Sequence, residues 1–152
     1  MAHTEGVNGI SWGPSTEPAI LMQSVQGASD DKYDAGMPDK FKPPPKRLVS
    51  GGNDNAVNIW EFVDGQETPT RTKIGEHSDW VRDVAWCCNI GLLHEMIASC
   101  SEDCTAKVWK HISDKEGSKW VAKEVKIAEK VPNWKVSWSQ VGNMLAVSGG
   151  DN

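Results

Sequence analysis

The chain has 152 residues, a formal charge of −5, 38% hydrophobic and 24% charged residues. That length fits one domain or part of a larger one, and the acidic balance argues against nucleic acid as a primary partner, since phosphate recognition needs a basic face. Without a run of about 18 apolar residues or a charged-then-apolar leader, neither a membrane span nor a secretion signal is expected.

Taken in chain order, the first apolar phrase is "HTEGVNGISW" (3–12), in which Val7, Ile10 and Trp12 mark a short strand. Residues 15–47 follow, rich in Pro, Asp, Gly and Ser with a triple proline at 43–45, and read as a loop insertion. "RLVSGG" then ends in an Asn/Asp turn, "AVNIW" alternates as a half-buried strand should, and "TRTKIG" supplies a fourth strand at about 70–75. The same order returns in "HSDWVRDVAW" (77–86), "MIASCS", "AKVW" and "WVAKEVKIA", the last at about 120–128. It begins a third time in "KVPNWKVSW" (130–138) and "LAVSGGDN" (145–152), this time without a histidine.

These phrases are copies of one unit. Asp54, Asp103 and Asp151 recur at intervals of about 50 residues, and Asp54 and Asp103 stand at the same distance before Trp60 and Trp109. Four short strands per unit of about 40–50 residues predict β-propeller blades. The third unit stops before the strand that should carry its Trp, and Val147 occupies its serine slot. A fragment with both ends uncovered is therefore expected.

Eight tryptophans stand against two Phe and one Tyr. Trp12, Trp86 and Trp138 are expected to pack between blades. Trp80 is either a contact residue on a loop or, preferred here, another packing residue, because buried aromatics dominate core area. Arg82 is read by default as a solvated charge, with Asp83 or a partner carboxylate as its alternatives.

Two chemical readings of the unit need weighing. The His, Ser and Asp of each copy invite a hydrolase triad, which requires an exposed serine on a strained turn. Ser50 and Ser99 instead lie in apolar strand phrases, and the set is duplicated at one spacing, so the set reads as a buried network. No phosphate loop or acid/base pair suggests an enzyme. Cys87, Cys88, Cys100 and Cys104, with His94, have zinc-ligand chemistry but lack paired C-x2-C knuckles. Reduced thiols in the cytosol or nucleus are expected, with Cys100 in a buried strand.

His3 with Ser50, Asp54 and Trp60, and His77 with Ser99, Asp103 and Trp109, resemble the tetrads of the WD-repeat propeller family. Trp60-Glu61 and Trp109-Lys110 stand where that family often has Trp-Asp. "AHTEGVNGISWGP", "IGLLHEMIASCSEDC" and "NMLAVSGGDN" are most similar to the branch shared by the COPII vesicle coat and the outer-ring Y complex of the nuclear pore. The resemblance covers nearly the whole chain outside 15–47. It implies an all-β fold, a partial WD-repeat propeller over 1–152 with about two and a half four-stranded blades of an open six-bladed ring. The first blade would be 1–76 with the insertion, the second 77–129, and 130–152 the start of a third.

The resemblance further implies a non-catalytic scaffold without cofactor or metal, serving ER-to-Golgi transport and the nuclear pore, with a role in nutrient signalling to the TOR kinase. Its expected partners are a larger coat subunit of the Sec-thirty-one type and a nucleoporin, each donating a blade by strand addition. It would meet nucleic acid not at all and membrane only through the coat. Its places would be the cytoplasmic face of the ER, COPII vesicles and the nuclear envelope. The alternative is a WD-repeat peptide-binding adaptor, such as a ubiquitin ligase substrate receptor, using a loop face around Asn53, Trp80, Arg82 and Glu102.

Overall fold

Short β-branched and aromatic runs punctuated by Gly, Asn and Asp have one stable outlet, the antiparallel meander, and the chain takes it repeatedly. The computed structural model describes residues 2–14, 46–63, 65–88, 94–114, 117–127 and 130–150. Strands β1 (Val7–Trp12), β2 (Lys46–Gly52), β3 (Ala56–Phe62) and β4 (Thr70–Glu76) form one sheet in sequence order. Strands β5 (Val81–Trp86), β6 (Met96–Ser101), β7 (Ala106–Asp114) and β8 (Gly117–Val125) form a second. Strands β9 (Asn133–Trp138) and β10 (Leu145–Gly149) pair as a third.

The repeat is visible in the register. Ile10 pairs with Ser50, Val84 with Ser99 and Val136 with Val147, each one position along the same unit. Val147 thus stands at the place of the two serines. All strands are antiparallel to their neighbours and no helix occurs among the described residues. The arrangement is all-β, with successive meander sheets packed side by side as propeller blades are, open rather than closed.

Two boundaries differ from expectation. Lys46 and Arg47 belong to β2, where they pair with Phe62 and Glu61, so the insertion gives up its last two residues; 15–45 lie outside the described residues. The fourth strand of the second sheet runs over Gly117–Val125, earlier than 120–128. Its ladder begins at the tight Asp114–Gly117 pairing and ends where Ala106, the first residue of β7, meets Val125.

The core lies between sheets. Val49, Val57 and Ile59 of the first sheet pack against Val81, Val84, Trp86, Ile97 and Trp109 of the second. Ala98, Cys100 and Ala106 of the second receive Val136 of the third, with Trp138 at the edge of the cluster. Each buried aliphatic contributes roughly 1.5–3 kcal/mol. The approach is close enough to require glycine at Gly75, where a Cβ would run into the Trp109 ring.

Strands β1, β5 and β9 belong to different sheets and share no ladder, so side chains join them. Asn8 Nδ2 donates to the Val81 carbonyl (2.8 Å), and Ser11 Oγ accepts from the Trp86 N–H (3.0 Å). One junction on, Asp83 Oδ2 accepts from the Val136 N–H (3.2 Å), and Trp138 Nε1 donates to the Ala85 carbonyl (3.1 Å).

The outer flank of the first sheet has no such neighbour among the described residues. Val81, Val84 and Trp86 are 0%, 3% and 6% exposed, whereas their equivalents Val7, Ile10 and Trp12 are 45%, 67% and 66% exposed. Trp86 and Trp138 therefore pack between sheets as expected. Trp12 does not, and rests on Phe62 of its own sheet with ring centroids 6.2 Å apart.

Candidate functional site

Each four-stranded sheet gathers one His, Ser, Asp and Trp. In the first, Trp60 Nε1 lies 2.8 Å from Ser50 Oγ, Ser50 Oγ 2.8 Å from His3 Nε2, and His3 Nδ1 2.6 Å from Asp54 Oδ1. In the second, Trp109, Ser99, His77 and Asp103 repeat the chain at 2.8, 2.8 and 3.0 Å. An indole N–H can only donate and a carboxylate can only accept. One proton arrangement satisfies every link: Trp donates to Ser, Ser donates to neutral His at Nε2, and His donates to Asp from Nδ1.

Local turn chemistry places the aspartates. Asp54 and Asp103 each precede a residue with positive φ, Asn55 (63°) and Cys104 (66°), at the tip of a β-hairpin. There they cap the turn: Asp54 accepts from the Ala56 and Thr4 N–H groups, and Asp103 from those of Thr105 and Ser78. Thr105 Oγ1 also donates to Asp103 (2.6 Å), a member that the tetrad pattern misses, although Asp-x-Thr signals such a turn.

These bonds set the electrostatics. Burial alone would raise the Asp103 carboxyl, but the Thr105 hydroxyl, the Ser78 and Thr105 N–H groups and His77 hold it well below the ordinary carboxylate range. Asp54 is lowered against the same opposition by His3, Ala56 and Thr4. Burial depresses His77 despite the nearby Asp103 carboxylate, keeping the imidazole neutral. Ser50 and Ser99 are 2% and 0% exposed, and each hydroxyl is engaged by both His and Trp. A substrate cannot reach either oxygen.

The four residues expected on the loop face, Asn53, Trp80, Arg82 and Glu102, fall into linked groups, with Arg82 itself in β5. Arg82 forms an ion pair with Glu102, and its guanidinium carbon sits 5.2 Å from the Trp80 ring centroid and 5.0 Å from that of Trp134. Arg82 is thus neither solvated by default nor paired with Asp83, because the β6–β7 turn brings Glu102 within its reach. Trp80 is 40% exposed and Trp134 43%, so Trp80 is not a buried packing residue. Asn53 lies in the neighbouring turn, accepting from Asn8 Nδ2 (2.6 Å) and donating to the Glu5 carbonyl (3.1 Å).

All four cysteines are free. Burial pushes the Cys87 thiol up to about 11 and the Cys100 thiol up to about 12, the latter aided by Asp83, so both remain protonated. Among the described residues no three His, Cys, Asp or Glu side chains converge on a metal-sized site.

The pattern of the WD domain, G-beta repeat, matches residues 67–110. That span runs from β4 through β7 and contains the whole second tetrad. Residues 67–110 thus carry a WD repeat. Similarity to individual proteins extends over nearly all of the chain. "Protein SEC13 homolog" of Bos taurus is 39% identical over 151 residues, 99% of this chain and 42% of its own length. "Protein transport protein sec13" of Aspergillus clavatus is 40% identical, over 99% of this chain and 45% of its own. "Protein SEC13 homolog" of Drosophila melanogaster is 40% identical, with 99% and 38%. The chain thus spans less than half the length of these relatives.

Proposed function

We propose that this WD-repeat chain is a non-catalytic scaffold of protein transport, part of a propeller that joins a COPII-type vesicle coat on the cytoplasmic face of the ER. The tetrads act as staples that satisfy buried polar groups and tie the entry to each sheet to its inner strands. The observation that carries the scaffold reading is the duplicated tetrad: Ser50 and Ser99 are buried and each is engaged by both His and Trp, so the set ties strands together and presents no nucleophile. Val7, Ile10 and Trp12 occupy the positions that in the next unit are buried by a neighbouring sheet. The relatives named for protein transport support the cellular setting.

In the finer form of this reading, a larger coat subunit of the Sec-thirty-one type, or a nucleoporin in the outer ring of the nuclear pore, adds a blade to the open propeller by strand addition. A contribution to TOR nutrient signalling would follow from the same scaffold. Affinity capture of the tagged chain with identification of its partners tests the proposal. Coat and pore subunits are expected, with recovery reduced by Ile10→Asp on the flank. Recovery of ubiquitin ligase subunits in their place would establish the adaptor alternative and overturn the coat reading.

A further inference from the structure

Trp80, in the loop before β5, and Trp134, in β9, lie on either side of the junction between the second and third sheets. Both rings are open to solvent by about two fifths of their surface, at 40% and 43%. They are nevertheless held in place. The Arg82 guanidinium lies against both, and Glu102 fixes Arg82 from the β6–β7 turn. Trp80 is further tied through its backbone, its N–H to Asp79 Oδ1 (2.8 Å) and its carbonyl to the Glu102 N–H (3.1 Å). An aromatic already immobilised but still exposed loses little conformational freedom when a partner covers it, which is the usual character of an interface hot spot.

The charges around the pair select the partner. Two cations beside the pair are internally answered: Arg82 by Glu102, and Lys135 by Asp83 at 3.7 Å. Asp79, immediately before Trp80, is exposed and has no cationic partner among the described residues. Glu5 is likewise exposed and has no cationic partner among the described residues, and its backbone carbonyl is linked through Asn53 and Asn8 to the Val81 carbonyl beside Trp80. Indole faces carry negative potential, and carboxylates beside them reinforce it.

We propose that the Trp80–Trp134 pair is a docking surface for an extended, lysine- or arginine-bearing segment of a partner protein. The incoming cations stack on the indoles and pair with Asp79 and Glu5. This surface is separate from the uncovered flank of β1 and does not depend on what covers that flank. An acidic segment meets like charge here. A proline-rich segment would use the rings but leave the two carboxylates without a role.

Fluorescence anisotropy with the full chain tests this, using short labelled lysine/serine, glutamate/serine and proline-rich peptides. The lysine/serine peptide is expected to bind saturably and more weakly as salt rises. Trp134→Ala is expected to weaken it about tenfold, a typical loss for a hot spot. Asp79→Asn and Glu5→Gln together are expected to weaken it several-fold. Those two substitutions keep side-chain shape and the acceptor for the Trp80 N–H, so they decide the matter even if Trp134→Ala lowers the folded fraction. Ile10→Asp, which disables the flank, is expected to leave peptide binding unchanged. No saturable binding of the lysine/serine peptide would overturn the proposal. So would equal binding of either other peptide, or indifference to the Asp79/Glu5 pair.

Discussion

Arg47 of β2 grips Glu95, the residue before β6, with both nitrogens of its fork, and so joins the first sheet to the second. One contact is 3.0 Å, the other is shorter, and the Trp86 ring caps the guanidinium at 5.2 Å. The side chains are 16% and 7% exposed, so each charge depends on the other. Breaking such a pair from one side leaves a buried charge unanswered, at a cost of about 3–5 kcal/mol. Glu95→Ala and Arg47→Ala are each expected to destabilise by about 3 kcal/mol. The double variant should lose clearly less than the sum, as read from urea unfolding in a double-mutant cycle. Additive losses would show that the pair does not join the sheets.

Ser99→Ala removes the middle of the second tetrad, leaving the Trp109 N–H without an acceptor and His77 Nε2 without a donor. Asp103→Asn removes the charge at its end. Each is expected to cost about 1–3 kcal/mol. Chemical denaturation with tryptophan fluorescence as readout should show both losses; stability unchanged in either would separate the tetrad from the fold.

Acid should destabilise the protein in two stages. His77 has a native pKa below its ordinary value of 6.5, so the unfolded chain takes up its proton first. Its contribution is complete above 6.5 and is lost as pH falls from there toward the depressed native value. Asp103 is also lowered, so its contribution is complete above 3.8 and is lost as pH falls further. Lys107 and Glu124 bear on His77 with opposite signs. Urea midpoints should therefore drop as pH falls below about 6.5 toward the depressed native value. His77→Gln should be less stable throughout but flatter over that range; an equal slope in the variant would refute the assignment.

Cys104 adopts φ 66° at the turn position that Asn55 fills at 63° in the first sheet. Asn tolerates this left-handed region better than most side chains, because its short amide bonds locally. Cys104→Asn is expected to stabilise by about 0.5–1 kcal/mol, read as a rise in the urea midpoint. A fall would mean that the thiol's contact with the Glu102 carbonyl (3.6 Å) outweighs the backbone term.

By itself the sequence determined whatever one unit can encode and then repeat. Val81, Val84 and Trp86 declare a strand by their own spacing, the Asp103 turn declares itself by local hydrogen bonding, and repetition of both names the fold and gathers His77, Ser99, Asp103 and Trp109. What only the tertiary structure decided lies between units. Nothing in "HEM" marks Glu95 as the answer to Arg47, and nothing in "WVRD" shows that Arg82 turns to Glu102 and spans Trp80 and Trp134. Likewise, Trp12 and Trp86 close equivalent phrases of the repeat, yet one is exposed and the other buried. The physical reason is the same in each case. Strand formation and turn capping depend on neighbours a few residues away, whereas burial and ion pairing depend on which sheet stacks against which, a relation that no single repeat contains.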